Sequence, residues 1–217
     1  MGFLELFLYF FLLYDYLSVF YISLHMKIPL RFQITEFDCW TISLQNAVSY
    51  LFEREDIPAE LIREIALYTL DCYDKKWNLW QGGTSRESIA FLTKWMVEYS
   101  KTHDFWIFAV HKQGEDVTID IIRSFLKKKR VILLRTYLLN GEHYVIITDI
   151  DDDFVYIWDP YYLDAWFYDN DKEVEIVLGH IFDYNRKVSV KRFSSVLKKD
   201  FALWPVKSRE CTLMERK

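Results

Sequence analysis

The apolar pattern of this chain changes character once, and that change limits the folds open to it. Up to about residue 128 the apolar residues recur at three- and four-residue spacing, as on one face of a helix. Beyond it, Val131–Leu138, His143–Ile150 and Phe154–Trp158 are short runs of β-branched and aromatic residues bounded by turn formers, which read as strands. In the first part, a helix is expected from about Thr41 to Arg54, carrying Leu44, Ala47, Val48, Leu51 and Phe52 on one side. A second is expected from Pro58 to Leu70, where Pro58 suits a first helical turn that leaves its N–H unbonded anyway. Thr84 with Glu87 forms a capping-box pattern ahead of Ile89, Leu92, Trp95 and Met96, and Val117 to Lys128 predicts a fourth helix. Later, Glu173–Leu178 reads as a strand, Val190–Lys199 as a helix and Phe201–Val206 as a terminal strand. Helices followed by antiparallel strands predict an α+β fold, with an N-terminal helical half packed on a C-terminal antiparallel sheet.

Phe3 to Leu24 stands apart as an almost unbroken aromatic and aliphatic run, interrupted by Glu5 and Asp15. Its length suffices to cross a bilayer, although each internal carboxylate costs a few kcal/mol on insertion scales (about 2.5–3.5). No Lys or Arg precedes it and no small-residue cleavage site closes it, which argues against a cleaved signal peptide. Two readings of residues 1–25 stay open: a membrane anchor making membrane contact through residues 3–24, or an extended reading frame ahead of Met26. On the first, Lys27 and Arg31 keep the following domain on the cytoplasmic side. On either, residues 26–217 form one domain, long enough to bury a core, with no linker or repeat.

With 27 basic and 32 acidic side chains the net charge is −5, which argues against a nucleic-acid binder. Three cysteines without a C-x-x-C spacing suit neither a disulfide framework nor a zinc site, and fit a reducing, cytoplasmic compartment. No metal or cofactor motif is present. The triplet Asp151–Asp153 lacks the rest of a calcium loop and reads as a polar hairpin.

Among the cysteines, Cys39 sits where an extended segment meets a helix. The positive end of a helix dipole favours a thiolate, the nucleophilic form of cysteine. Six residues upstream, Gln33 offers an amide that can donate to an oxyanion alongside the Cys39 N–H. His143 opens one strand and Asp159 closes the next. If Asp151–Asp153 form a three-residue hairpin loop, Ile150 faces Phe154, Val145 faces Asp159 and His143 faces Tyr161. His143 and Asp159 then become diagonal neighbours on one side of the sheet. The carboxylate would fix the imidazole tautomer and leave the other nitrogen for the thiol. A one-residue change of register would place the two on opposite faces. Competing residues are less well placed. Cys72 lies between Asp71 and Asp74, which disfavours a thiolate, and Cys211 belongs to a charged tail expected to fray. His25 lies in the N-terminal run, His103 and His111 are expected to face solvent, and His180 follows Gly179 in a turn.

These residues resemble the motif set of the bacteriocin-processing cysteine peptidases, bacterial papain-like domains that remove double-glycine leaders. The pattern is Gln33 with Asp38-Cys39 six residues on, His143-Tyr-Val-Ile-Ile, and Trp158-Asp159-Pro160, within residues 28 to 165. The resemblance implies a papain-like fold and a thiol protease site of Cys39, His143 and Asp159, with Gln33 completing the oxyanion hole. It implies a peptide or amide substrate and no cofactor. Trp40 departs from the small residue usual after the cysteine, which bears on access to the cleft. The expected function is a stand-alone hydrolase of peptide or amide bonds. Two alternatives are an acyltransferase working through the same acyl-enzyme, and a non-catalytic peptide-binding module with Trp40 plugging the cleft.

Overall fold

A computed structural model describes residues 26–79, 81–126, 129–139 and 141–217. The run from Phe3 to Leu24 lies outside the described residues, as do Lys127 and Lys128 of the fourth expected helix. Five α-helices occur among them, α1 (Cys39–Leu51), α2 (Ala59–Leu67), α3 (Arg86–Ser100), α4 (Ile119–Phe125) and α5 (Val190–Phe193). Seven strands, β1 (Ile107–Gln113), β2 (Arg130–Leu138), β3 (Gly141–Ile150), β4 (Phe154–Trp158), β5 (Val174–Ile176), β6 (Arg186–Ser189) and β7 (Glu210–Arg216), form one sheet. Its order is β1-β7-β2-β3-β4-β6-β5, with every neighbouring pair antiparallel. The architecture is α+β. Among the described residues no helix is long and apolar enough to cross a membrane.

Both faces of the sheet are buried. Trp40, Leu44, Ala47, Val48 and Leu51 of α1 pack with α2, α3 and the strand residues Val131, Leu133, Ile146 and Met214. The alternate strand residues Ile132, Leu134, Val145, Ile147, Ile157 and Leu213 pack on the other face against Ile122, Phe193, Phe201 and Leu203. Each fully buried large side chain contributes roughly 1.5–3 kcal/mol relative to exposure. Trp40 is only 1% exposed and is part of the α1 core, so it fills the protein interior and not the cleft.

Local chemistry moves several element ends away from their expected places. α1 begins at Cys39, and α2 begins at Ala59 with Pro58 just outside it. α3 is capped by Ser85, whose hydroxyl accepts from Ser88 N, whereas the expected cap Thr84 accepts from Leu70 N through its own hydroxyl. Asp71 fixes that arrangement by accepting from Ser85 N, Ser85 Oγ and Ser88 Oγ.

The expected terminal strand at 201–206 does not form. Phe201 and Trp204 have φ of 63° and 66°, a left-handed backbone that no strand accommodates. The expected helix at 190–199 stops at Phe193 for a related reason, since the following residues turn back and Leu203 N donates to Phe193 O. The last strand is β7, made from the tail expected to fray, and it lies between β1 and β2. Its flanking charges hide an apolar centre: Cys211, Leu213 and Met214 are buried.

The β3–β4 hairpin differs from expectation at its tip and agrees with it at its base. Ile150 faces Val155, one residue beyond the expected partner, because the loop closes on two residues: Asp151 N donates to Phe154 O, and the Asp151 carboxylate accepts from Asp153 N, Phe154 N and Tyr156 Oη. A bulge at Thr148 then absorbs one residue, so that Ile147 faces Ile157 and Ile146 faces Trp158. Continued by one step, that register sets Val145 across from Asp159. Without the bulge His143 and Asp159 would lie on opposite faces.

Candidate active site

The entry segment reaches the site by being gripped from α1. Asn46 is fully buried and accepts from Arg31 N while donating to Arg31 O, both at 2.8 Å. Two residues on, Gln33 N donates to Pro160 O, which ties this segment to the end of β4. The chain then loops into α1. Asp38 ends the loop, and its carboxylate accepts from Ile34 N, Thr35 N and the Thr35 hydroxyl instead of capping the helix. Cys39, the first residue of α1, is partly buried against the core. Ser43, one turn further, donates to Tyr144 O at 2.9 Å and fastens α1 to the beginning of β3.

At that beginning stands His143. Its Nε2 lies 2.7 Å from Asp159 Oδ1, and Cys39 is one of the two groups whose proximity raises the pKa of the same imidazole. With Nε2 engaged by the carboxylate, Nδ1 is the nitrogen left for sulfur. The ring is almost wholly buried and Asp159 is entirely so. Burial alone would hold the imidazole neutral. The Asp159 charge and hydrogen bond, with a smaller contribution from Cys39, outweigh it and raise the imidazole to about 10.

Asp159 is itself held by residues that sequence reasoning missed. Asn185 accepts from Asp159 N and donates to Asp159 O, both at 2.8 Å. Arg186, 1% exposed, places a guanidinium nitrogen 3.3 Å from Asp159 Oδ2 and donates to Tyr161 O. Tyr161 N donates to Asp159 Oδ1. The Tyr161 ring stands edge-on to His143 at 6.2 Å and its hydroxyl reaches Glu36 in the loop before Cys39. The only signal for this support was a polar pair, Asn185-Arg186, at the start of a four-residue strand.

Of the four expected residues, Cys39, His143 and Asp159 converge in one constellation. Gln33 is near the same end of β4, but its Nε2 donates to Thr35 O at 2.7 Å within its own loop. Its Oε1 is buried without a hydrogen-bond partner. One N–H of the amide is therefore spent locally, leaving the second as the available donor.

On the other face of β3, Tyr144 donates its hydroxyl to Glu210 Oε2 at 3.0 Å. Glu210 is buried and lies 3.2 Å from His111 Nε2 and 3.4 Å from Arg86 Nε. His111 is thus a nearly covered member of this network and not a solvent-facing residue, because β7 brings Glu210 beside it. The remaining thiols are poor nucleophiles. Burial, then the neighbouring Asp71 and Glu87, push Cys72 up, and burial pushes Cys211 up to about 12.

A cavity of about 300 Å³ lies beyond β4, among Phe154, Lys172, Glu173 and Lys187, and none of the four site residues lines it. Another, of about 210 Å³, adjoins the site through Phe32, Trp158 and Arg186. No protein-family model matches this chain, and no curated protein matches it either.

Proposed function

We propose that this protein is a papain-like cysteine hydrolase of peptide or amide bonds, similar in its site to the bacteriocin-processing peptidases. The observation that carries the reading is a single imidazole hydrogen-bonded to a buried carboxylate and close enough to Cys39 for the thiol to raise its pKa further. An imidazole held in its protonated form beside a thiol favours the thiolate–imidazolium pair that cysteine catalysis requires. The thiolate attacks the carbonyl carbon. The oxyanion is met by the Cys39 N–H and the free N–H of Gln33, and His143 passes its proton to the departing amine. Water, deprotonated by His143, then cleaves the thioester and restores the thiol. Asp159 keeps the imidazole in the required tautomer throughout.

The burial of Trp40 in the α1 core favours catalysis over a plugged binding module, since the bulky residue after Cys39 leaves the cleft free. Alkylation by iodoacetamide over about pH 5 to 9, read by mass spectrometry, tests the reading. Cys39 is expected to label fast at the acidic end, ahead of Cys72 and Cys211, and to lose that behaviour in His143→Ala. Labelling of Cys39 no faster than Cys72 would overturn it. Isolation of an amine adduct in place of a hydrolysed product would assign acyl transfer to the same site.

A further inference from the structure

The cavity of about 210 Å³ beside the site has mainly apolar walls, formed by Phe32, Trp158, Tyr162, Leu178 and Ile181, with Arg186 at its inner end. Its rim is uncovered, with Leu178 74% and Tyr162 64% exposed. Large apolar side chains left to water around a concavity mark a binding surface, since scattered ones need no such grouping. Its walls belong to the same short segments as the chemistry. Phe32 precedes Gln33, Trp158 precedes Asp159, and Arg186 pairs with Asp159. Phe32 packs between Trp158 and Tyr162, with ring centroids 5.4 Å from each, and Leu30 N donates to Ile181 O, so the entry segment and the 178–181 loop are joined in one wall.

We infer that this cavity is the subsite for a large apolar side chain on the leaving-group side of a peptide substrate. The inference rests on the hydrolase reading above. In that reaction the acyl half stays on Cys39 with its oxygen toward the Cys39 and Gln33 N–H groups. The departing amine must lie at His143, which protonates it. The leaving half of the substrate is therefore the half that runs past His143, toward the exposed Tyr162 and Phe32 at the rim of the cavity. A carboxylate side chain there would leave water for apolar walls, whereas Phe, Leu, Ile or Trp would bury against them.

The test is digestion of a mixed peptide library by the full chain, with sequencing of the new N-termini. Phe, Leu, Ile and Trp are expected to be enriched within the first few positions after the cut. Ile181→Asp, at a half-exposed position away from the reacting atoms, is expected to lower kcat/KM for such peptides about tenfold, the size of effect one apolar side chain has in a pocket. It should leave the iodoacetamide reactivity of Cys39 unchanged. Cleavage without downstream preference, or with a preference untouched by Ile181→Asp, overturns the subsite and leaves the hydrolase reading intact. A reactive Cys39 that cleaves no peptide overturns both the subsite and peptide hydrolysis. A photo-crosslinker at position 178 that captures residues 3–24 of the same chain, or a second copy, also overturns it by naming a different occupant.

Discussion

Asp159 carries the largest consequence of any single side chain in this site. Asp159→Asn keeps the shape but removes the charge that holds His143 protonated, and it lets the imidazole adopt the wrong tautomer. Loss of fast acidic alkylation at Cys39 is expected, with turnover down by about two orders of magnitude or more. Arg186→Leu acts on the same carboxylate from behind. It removes one of the two cations beside a buried carboxylate, and urea unfolding should show a loss of about 1.5–3 kcal/mol. His143 also makes stability depend on pH. Its imidazole titrates near 6.5 in the unfolded chain and is raised to about 10 in the fold, so folding favours the protonated ring. That stabilisation is complete below about pH 6.5 and disappears as pH rises through about 10. Denaturation midpoints taken across that window should fall for the native protein and change less for His143→Ala. Cys39, His143 and Asp159 were legible because a helix start and a two-strand hairpin are local features. Asn185 and Arg186 were not, because nothing near them in sequence reveals that β6 lies beside β4. The engagement of Gln33 with Thr35 likewise depends on a loop shape set by Asp38.

At the scale of elements, α1 both presents the thiol and anchors its surroundings. Asn46→Ala removes two hydrogen bonds to the Arg31 backbone and leaves the Arg31 N–H unpaired, while its carbonyl keeps the Trp158 indole, at a cost of about 1–3 kcal/mol. Faster hydrogen exchange at the Arg31 amide, measured on the full chain, should accompany it. The β3–β4 hairpin shows how far sequence reasoning reaches. Side-chain alternation gave the correct faces for His143 and Asp159, yet the expected three-residue loop was wrong. Asp151 closes the loop on Phe154, one residue tighter than expected, and the bulge at Thr148 takes up the residue so released. Two departures cancel, and the site depends on both. The capping of α3 by Ser85 was hidden for a similar reason. Thr84 and Ser85 are equally good caps in isolation, and it is Asp71, fourteen residues before Ser85, that selects between them.

Across the whole molecule, the α+β character was readable from periodicity, whereas the sheet order was not, and β1 falls inside the half expected to be helical. β7 pairs with β2 over a long sequence separation, and its charged ends conceal the buried Cys211, Leu213 and Met214. This placement has a consequence for the order in which the protein comes into being on a ribosome. Residues 210–216 are translated long after Cys39 and His143, yet they fill the gap between β1 and β2 and bring Glu210 to Tyr144, next in sequence to His143. A growing chain that has not reached Glu210 holds an open sheet with two unpaired strand edges, and Tyr144, beside His143, lacks its carboxylate partner. Chains arrested at residue 209 should therefore alkylate at Cys39 no faster than at Cys72, and those completed through residue 217 should gain the fast reaction. The chain would become chemically armed only once its synthesis has passed β7.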